Sequence, residues 1–139
     1  MMNTLFQRRT LLLAVLAPLL AACASTHGQP PQSYLNGSAF YQEKIAFPRD
    51  KTLLRVRLLD VSDSNAAPAI LAEQSLEKVA TPTDYSLCYD AQTAQPGHRY
   101  AVDARLFVNG ELRMQGQASV GQLNGKDAGP QVRMQSATE

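Results

Sequence analysis

From Gly37 onward the apolar positions recur every second residue rather than every third or fourth. Leu54, Val56 and Leu58 alternate with Arg55 and Arg57, the signature of a strand with one buried face. The clearest run is Tyr100, Val102, Ala104, Leu106 and Val108, interleaved with Ala101, Asp103, Arg105 and Phe107. After Asn109-Gly110 a partner follows, in which Leu112, Met114, Gly116, Ala118 and Val120 alternate with Arg113, Gln115, Gln117 and Ser119. Weaker strands are expected over 39–45 (Phe40, Tyr41), 69–76, 85–89 (Tyr85, Leu87, Tyr89) and around Val132 and Met134 after Pro130. Residues 72–79 could instead make a turn or two of helix, and nothing else has a helical period.

The Asn109-Gly110 junction carries a phase problem. A two-residue loop would set Leu106 opposite Arg113 and mix apolar with polar on one face, which a period of two forbids when that face is buried. A three-residue loop, Val108-Asn109-Gly110, restores the phase: Leu106 then faces Leu112, and Gly110 is the left-handed residue of a bulged turn. It also sets Arg105 against Arg113, so an odd loop is expected while its register stays open. Asp60 to Asn65 supplies another turn, because Asp, Asn and Ser side chains bond their own backbone. Six or seven short strands punctuated by Gly, Pro and Asn predict an all-β domain over 37–139, its tail after about 125 least defined. The expected fold is a small antiparallel β-sandwich or a partly open barrel.

The first 36 residues read differently. Arg8 and Arg9 precede an apolar run over 11–22, broken once by Pro18. That run is shorter than the ~20 apolar residues a membrane-spanning helix needs, and it has the layout of a signal peptide over 1–22. It ends in Leu20-Ala21-Ala22-Cys23, which resembles the lipobox of bacterial lipoproteins. On that resemblance, Leu20, Ala21 and Ala22 present the bond ahead of Cys23 to a signal peptidase, and the Cys23 sulfur attacks a lipid glyceryl group. It implies a diacylglyceryl thioether on Cys23 and an acylated new N-terminus. One acyl chain binds marginally and several hold permanently, each buried methylene contributing about 0.8 kcal/mol. Ala24 stands where lipoproteins kept in the inner membrane typically carry Asp, which points to the periplasmic side of the outer membrane. Residues 23–36 would then be a tether, without apolar periodicity and with Pro30-Pro31, reaching at most ~45 Å past Cys23.

Composition mainly excludes. Losing Arg8 and Arg9 takes 13 basic residues against 12 acidic ones to 11 against 12, which is no footprint for nucleic acid. With 18% charged residues and no Trp, the surface is left to Gln, Ser, Asn and Thr. A nucleophilic triad would need His98, the one histidine beyond His27 of the tether; following Pro96-Gly97, it reads as a solvated residue at a strand start. No His, Cys and carboxylate cluster has metal-ligand spacing, Asp60 and Asp63 flank a turn, and no glycine-rich phosphate loop occurs. No catalytic residue, metal or cofactor is therefore expected, apart from the covalent lipid on Cys23. Cys88 would be the one free thiol in an oxidising compartment, and a shielded strand residue is expected there rather than a mixed disulfide.

Two blocks carry a family likeness. They are Tyr41-Gln42-Glu43-Lys44-Ile45-Ala46-Phe47-Pro48 and, most specifically, Leu54-Arg55-Val56-Arg57-Leu58-Leu59-Asp60-Val61-Ser62. Together with Tyr85 to Asp90, Tyr100 to Arg105 and the lipobox, they make the chain resemble the YbaY/YscW-type lipoproteins over most of 37–121. Cys88 departs from that pattern, and the tail after Gly125 matches it poorly. The resemblance implies a β-sandwich lipoprotein, with some members acting as pilotins that guide a secretin subunit of type III secretion to the outer membrane. The expected function is thus a non-catalytic outer-membrane lipoprotein that binds another envelope protein, as a pilotin-like chaperone for a secretin. The alternative is a structural or glycan- and cell-wall-associated lipoprotein without a secretin client, which five Tyr and no Trp support little. A groove or open strand edge would take the partner segment, with Lys44, Arg55, Arg57 and Arg105 guarding the edge when it is unoccupied.

Overall fold

Sustained alternation becomes strand throughout. The structure, a computed structural model, describes residues 31–125 and 128–137. The expected signal peptide and lipobox, with Arg8, Arg9, Leu20, Ala21, Ala22 and Cys23, and the tether up to Pro30 lie outside the described residues. Among the described residues, no helix is long and apolar enough to cross a membrane. The strands are β1 (Gln32–Phe40), β2 (Thr52–Asp60), β3 (Ala69–Glu77), β4 (Thr83–Asp90), β5 (Tyr100–Val108), β6 (Glu111–Val120), β7 (Gln131–Arg133) and β8 (Gln135–Ser136). They form a three-stranded sheet, β4-β1-β7, packed on a five-stranded sheet, β3-β2-β5-β6-β8. The inner rows supply the core: Leu54, Val56 and Leu58 of β2, Val102, Ala104 and Leu106 of β5, and Leu35, Tyr85, Leu87 and Val132 from the smaller sheet. The expected β-sandwich is what forms, with eight strands rather than six or seven.

β1 starts at Gln32, inside the segment expected to be tether, and ends at Phe40, before the expected end of its strand. The reason is sparse patterning: only Leu35 and Ala39 are buried, while Ser33 and Gly37 occupy the other inward positions. Gly37 is required there, because a Cβ would strike the Tyr85 hydroxyl at 2.3 Å and the Pro130 carbonyl at 2.5 Å. Tyr85 instead reaches over it and donates to Pro130 O at 2.6 Å. Burial pushes the Tyr85 hydroxyl up to about 12. Residues 72–77 are strand, not helix, since Ala72, Gln74 and Leu76 face inward at every second position.

The hairpin solves its phase problem differently from expectation. Val108 pairs with Glu111, so the loop is the tight two-residue Asn109-Gly110, with φ of 52° and 81°. Two positive φ values are what the favoured type I′ turn demands. The extra residue appears instead as a bulge on β6: Phe107 pairs with Leu112 and Leu106 with Met114, leaving Arg113 over. Turn chemistry and inward packing are both satisfied, and Leu112 moves to the outer face beside Phe107.

β7 and β8 lace the two sheets together. Val132 pairs in parallel with Ala39 of β1, and Met134 N–H then donates to Phe40 O at 2.8 Å. One residue later Gln135 pairs with Gln115 of β6. The crossing passes over Gly116, where a Cβ would lie 2.1 Å from Arg133 O.

Candidate partner-binding site

The two ends of the sandwich are built differently. The described chain comes in at one of them, where Ala91 N–H donates to Pro31 O at 2.9 Å. β1 then runs nine residues, ~30 Å, to the opposite end. There the chain leaves the sheet at Tyr41 and makes an excursion over 41–51 before β2.

Beside this excursion, between the sheets, lies a cavity of about 280 Å³. Its floor is Ala39, Leu54, Leu106 and Met134; its lips are Tyr41, Ile45 and Phe47 on one side and Val79, Ala80 and Thr81 on the other. For scale, an apolar cavity of ~150 Å³ accepts benzene. This one therefore has room for one large side chain or two small ones, and its lining asks for apolar ones.

The lips are held by polar bonds that leave the hollow apolar. Thr52, buried at the mouth, donates from Oγ1 to Arg49 O at 2.8 Å and accepts from Val79 N–H at 2.9 Å, so one hydroxyl ties both sides. Arg49 Nε donates to Lys78 O at 2.8 Å. Tyr41 donates from its hydroxyl to Ile45 O at 3.2 Å, and its ring meets Phe47 edge-on at 5.8 Å. Desolvation raises the Tyr41 hydroxyl above its ordinary value. Arg113, freed by the β6 bulge, lies over Phe47 with its guanidinium carbon 5.3 Å from the ring. Ile45 and Phe47 also border a second hollow, of about 530 Å³, with Leu112, Met114 and Ser136. The 41–48 segment is thus a ridge with a recess on each flank, and Ile45 stays 39% exposed on it.

At the opposite end the loops close on themselves. Asp60 Oδ1 accepts from Ser62 N–H and Asp63 Oδ1 from Asn65 N–H, both at 2.9 Å, the turn expected from sequence. His98 is not merely solvated: its Nδ1 lies 2.6 Å from Asp60 Oδ2. Hydrogen bonds from Ser62 first and His98 second hold the Asp60 carboxyl down at about 2. His98 borders a hollow of about 230 Å³ with Gln95, Tyr100, Gln122 and Leu123, and no Ser, Thr or Cys is among its described lining residues.

Three other expectations need correction. Arg55 and Arg57 lie on β2 and Arg105 on β5, both interior strands of the larger sheet, so they guard no edge. Lys44 belongs to the excursion rather than to a strand. Cys88 is exposed, because Tyr85, Leu87 and Tyr89 take the inward positions of β4 and leave Cys88 on the outer face opposite Tyr34. The sequence did not foreshadow the cavity: Tyr41 and Ile45 were expected in a strand over 39–45, yet neither they nor Phe47 belong to one.

A small two-sheet sandwich with a preformed apolar recess and tied lips is a binding scaffold, suited to a protein segment or another apolar group. The type III secretion system lipoprotein chaperone family, YscW, matches residues 30–135, and the chain belongs to that family. A solved structure of an alternative pilotin from the type II secretion system of Vibrio cholerae is similar at 27% identity and a TM-score of 0.70, covering 78% of this chain and 100% of that one. A search of the curated proteins returned no match.

Proposed function

We propose that this protein is a non-catalytic, pilotin-like chaperone that binds a secretin subunit of a secretion system. Acylated at Cys23, it would be held on the periplasmic face of the outer membrane. The observation that carries the reading is the tied, apolar recess at the end of the sandwich farthest from where the described chain begins. Anchored through its N-terminal side, the domain would point that recess away from the lipid and toward an arriving partner. The recess would take apolar side chains of a short segment, and the Ile45–Phe47 ridge would extend the contact to its other flank. Family membership and the pilotin neighbour support the class of partner.

The test is affinity capture from detergent-solubilised envelopes, comparing the parent with Val79→Phe, which fills the recess. A secretin in the parent's eluate and its loss from the variant's supports the reading. Absence of a secretin from both, with cell-wall fragments retained, favours the structural, glycan-associated alternative. Mass spectrometry of the native protein checks the anchor separately: an unmodified Cys23 thiol removes the membrane address.

A further inference from the structure

The outer face of the five-stranded sheet carries charges that no edge or cavity accounts for. Register stacks its residues in cross-strand rungs. Glu73, Arg57, Asp103 and Gln117 form one rung, and Ser75, Arg55, Arg105 and Gln115 the next. Beyond it lie Glu77, Leu53, Phe107 and Leu112. Arg55 therefore stands directly opposite Arg105 in the middle of the sheet, where like charges repel.

The neighbouring carboxylates offset the repulsion only in part. Glu73 is taken by Arg57 at 2.8 Å and stays 3.9 Å from Arg55 Nε. Asp103 lies 3.1 Å from Arg105 Nε, but the geometry is not that of a hydrogen bond. Both Nε atoms, of Arg55 and of Arg105, are shielded from solvent without a hydrogen-bond partner. Arg55 rests instead over Phe107, its guanidinium carbon 5.3 Å from the ring. In the first two rungs three guanidiniums meet two carboxylates, and Glu77 stands on the third.

We propose that this face is a docking surface for an acidic polypeptide segment, one of whose carboxylates bridges Arg55 and Arg105 while its apolar neighbours lie along Leu53, Phe107 and Leu112. Forked guanidiniums suit a planar carboxylate bidentately. A lone carboxylate flanked by apolar groups fits better than a polyanion, because Glu73, Asp103 and Glu77 repel an extended negative surface. The face shares Leu112 with the second hollow, but Arg55 and Arg105 line neither that hollow nor the recess, so their binding can be tested whether or not the secretin reading holds.

The probe is a synthetic peptide of alternating Leu and Glu with Ser flanks, and its counterpart with Gln for Glu, titrated into the full-length chain in uncharged detergent. NMR shifts induced by the Glu peptide are expected to centre on Arg55, Arg105 and Phe107. Arg55→Gln leaves the Arg57–Glu73 and Arg105–Asp103 contacts in place and relieves the repulsion. It should bind the Glu peptide at least about tenfold more weakly while melting no lower than the parent. Equal binding of the Gln peptide, shifts centred elsewhere, or unchanged affinity in Arg55→Gln overturns the proposal. So does tighter binding of phosphatidylglycerol vesicles to the same residues, which would make the face a lipid site.

Discussion

The two ends of the sandwich use polar bonds to opposite purposes. At the end where the described chain begins, Asp60, Ser62 and His98 bond to one another and to the turn backbone, so the loops finish their own hydrogen bonding. At the far end, Thr52 and Arg49 use their bonds to hold two lips apart, and the apolar floor between them stays unfilled. One end has its loop hydrogen bonds complete, although a hollow of about 230 Å³ lies beside His98; the other is prepared. A native fold can sustain such a gap because packing elsewhere in the core supplies the stability, a common bargain at binding sites.

Paired core truncations break this contrast most forcefully. Leu58→Ala, in the filled part of the core, should cost about 2–5 kcal/mol in denaturant unfolding. Leu54→Ala should fall at the low end of that range, because Leu54 already borders open space and has fewer packing partners to lose. Equal losses would mean that the recess is closed in solution. Thr52→Val comes next: stripping a hydroxyl that serves both lips should cost ~1–3 kcal/mol and leave Val79 N–H without its acceptor. Protease cleavage within 41–51 and at 78–81 should then accelerate together. Val79→Phe has the reverse sign, filling the recess and raising stability by about 0.5–1 kcal/mol in the same unfolding assay.

The smallest effect sharpens the complete end. Because the folded Asp60 carboxyl is held at about 2 against an ordinary 3.8, its charged form stabilises the fold. The lead of the parent over Asp60→Asn should be fully present above pH 3.8 and vanish as pH falls through about 2, followed as melting temperature against pH. A lead that persists at the acid limit would show that the carboxylate's charge is not what matters there.

The larger sheet was legible because β2, β5 and β6 each place several large apolar residues in alternation, and burial followed that alternation from Thr52 to Leu58 on β2 and from Ala104 to Val108 on β5. The need for one extra residue in the hairpin was legible too. Its position was not: Asn109-Gly110 alone already satisfies the tight turn, so the mismatch moved to Arg113, where β6 could bulge. β1 was hard to see because its inward row includes Gly37 and Ser33, chosen for closeness to Tyr85 and the tail rather than for hydrophobicity. Arg55 and Arg105 read as edge guards only until strand order placed them centrally, since alternation tells which way a side chain points but not which strands lie alongside. The recess was least legible of all. It is made by what Tyr41, Ile45 and Phe47 leave empty, and empty space has no letter.

The lacing over Gly116 also governs when this chain can finish folding. Val132 and Met134 are buried, and the segment that carries them follows the end of β6 by more than ten residues. Until those residues leave the ribosome, the sheets have no clasp and the interior lacks its final members. The nascent domain therefore stays pliable until residues 131–136 have emerged, later than all of its long strands.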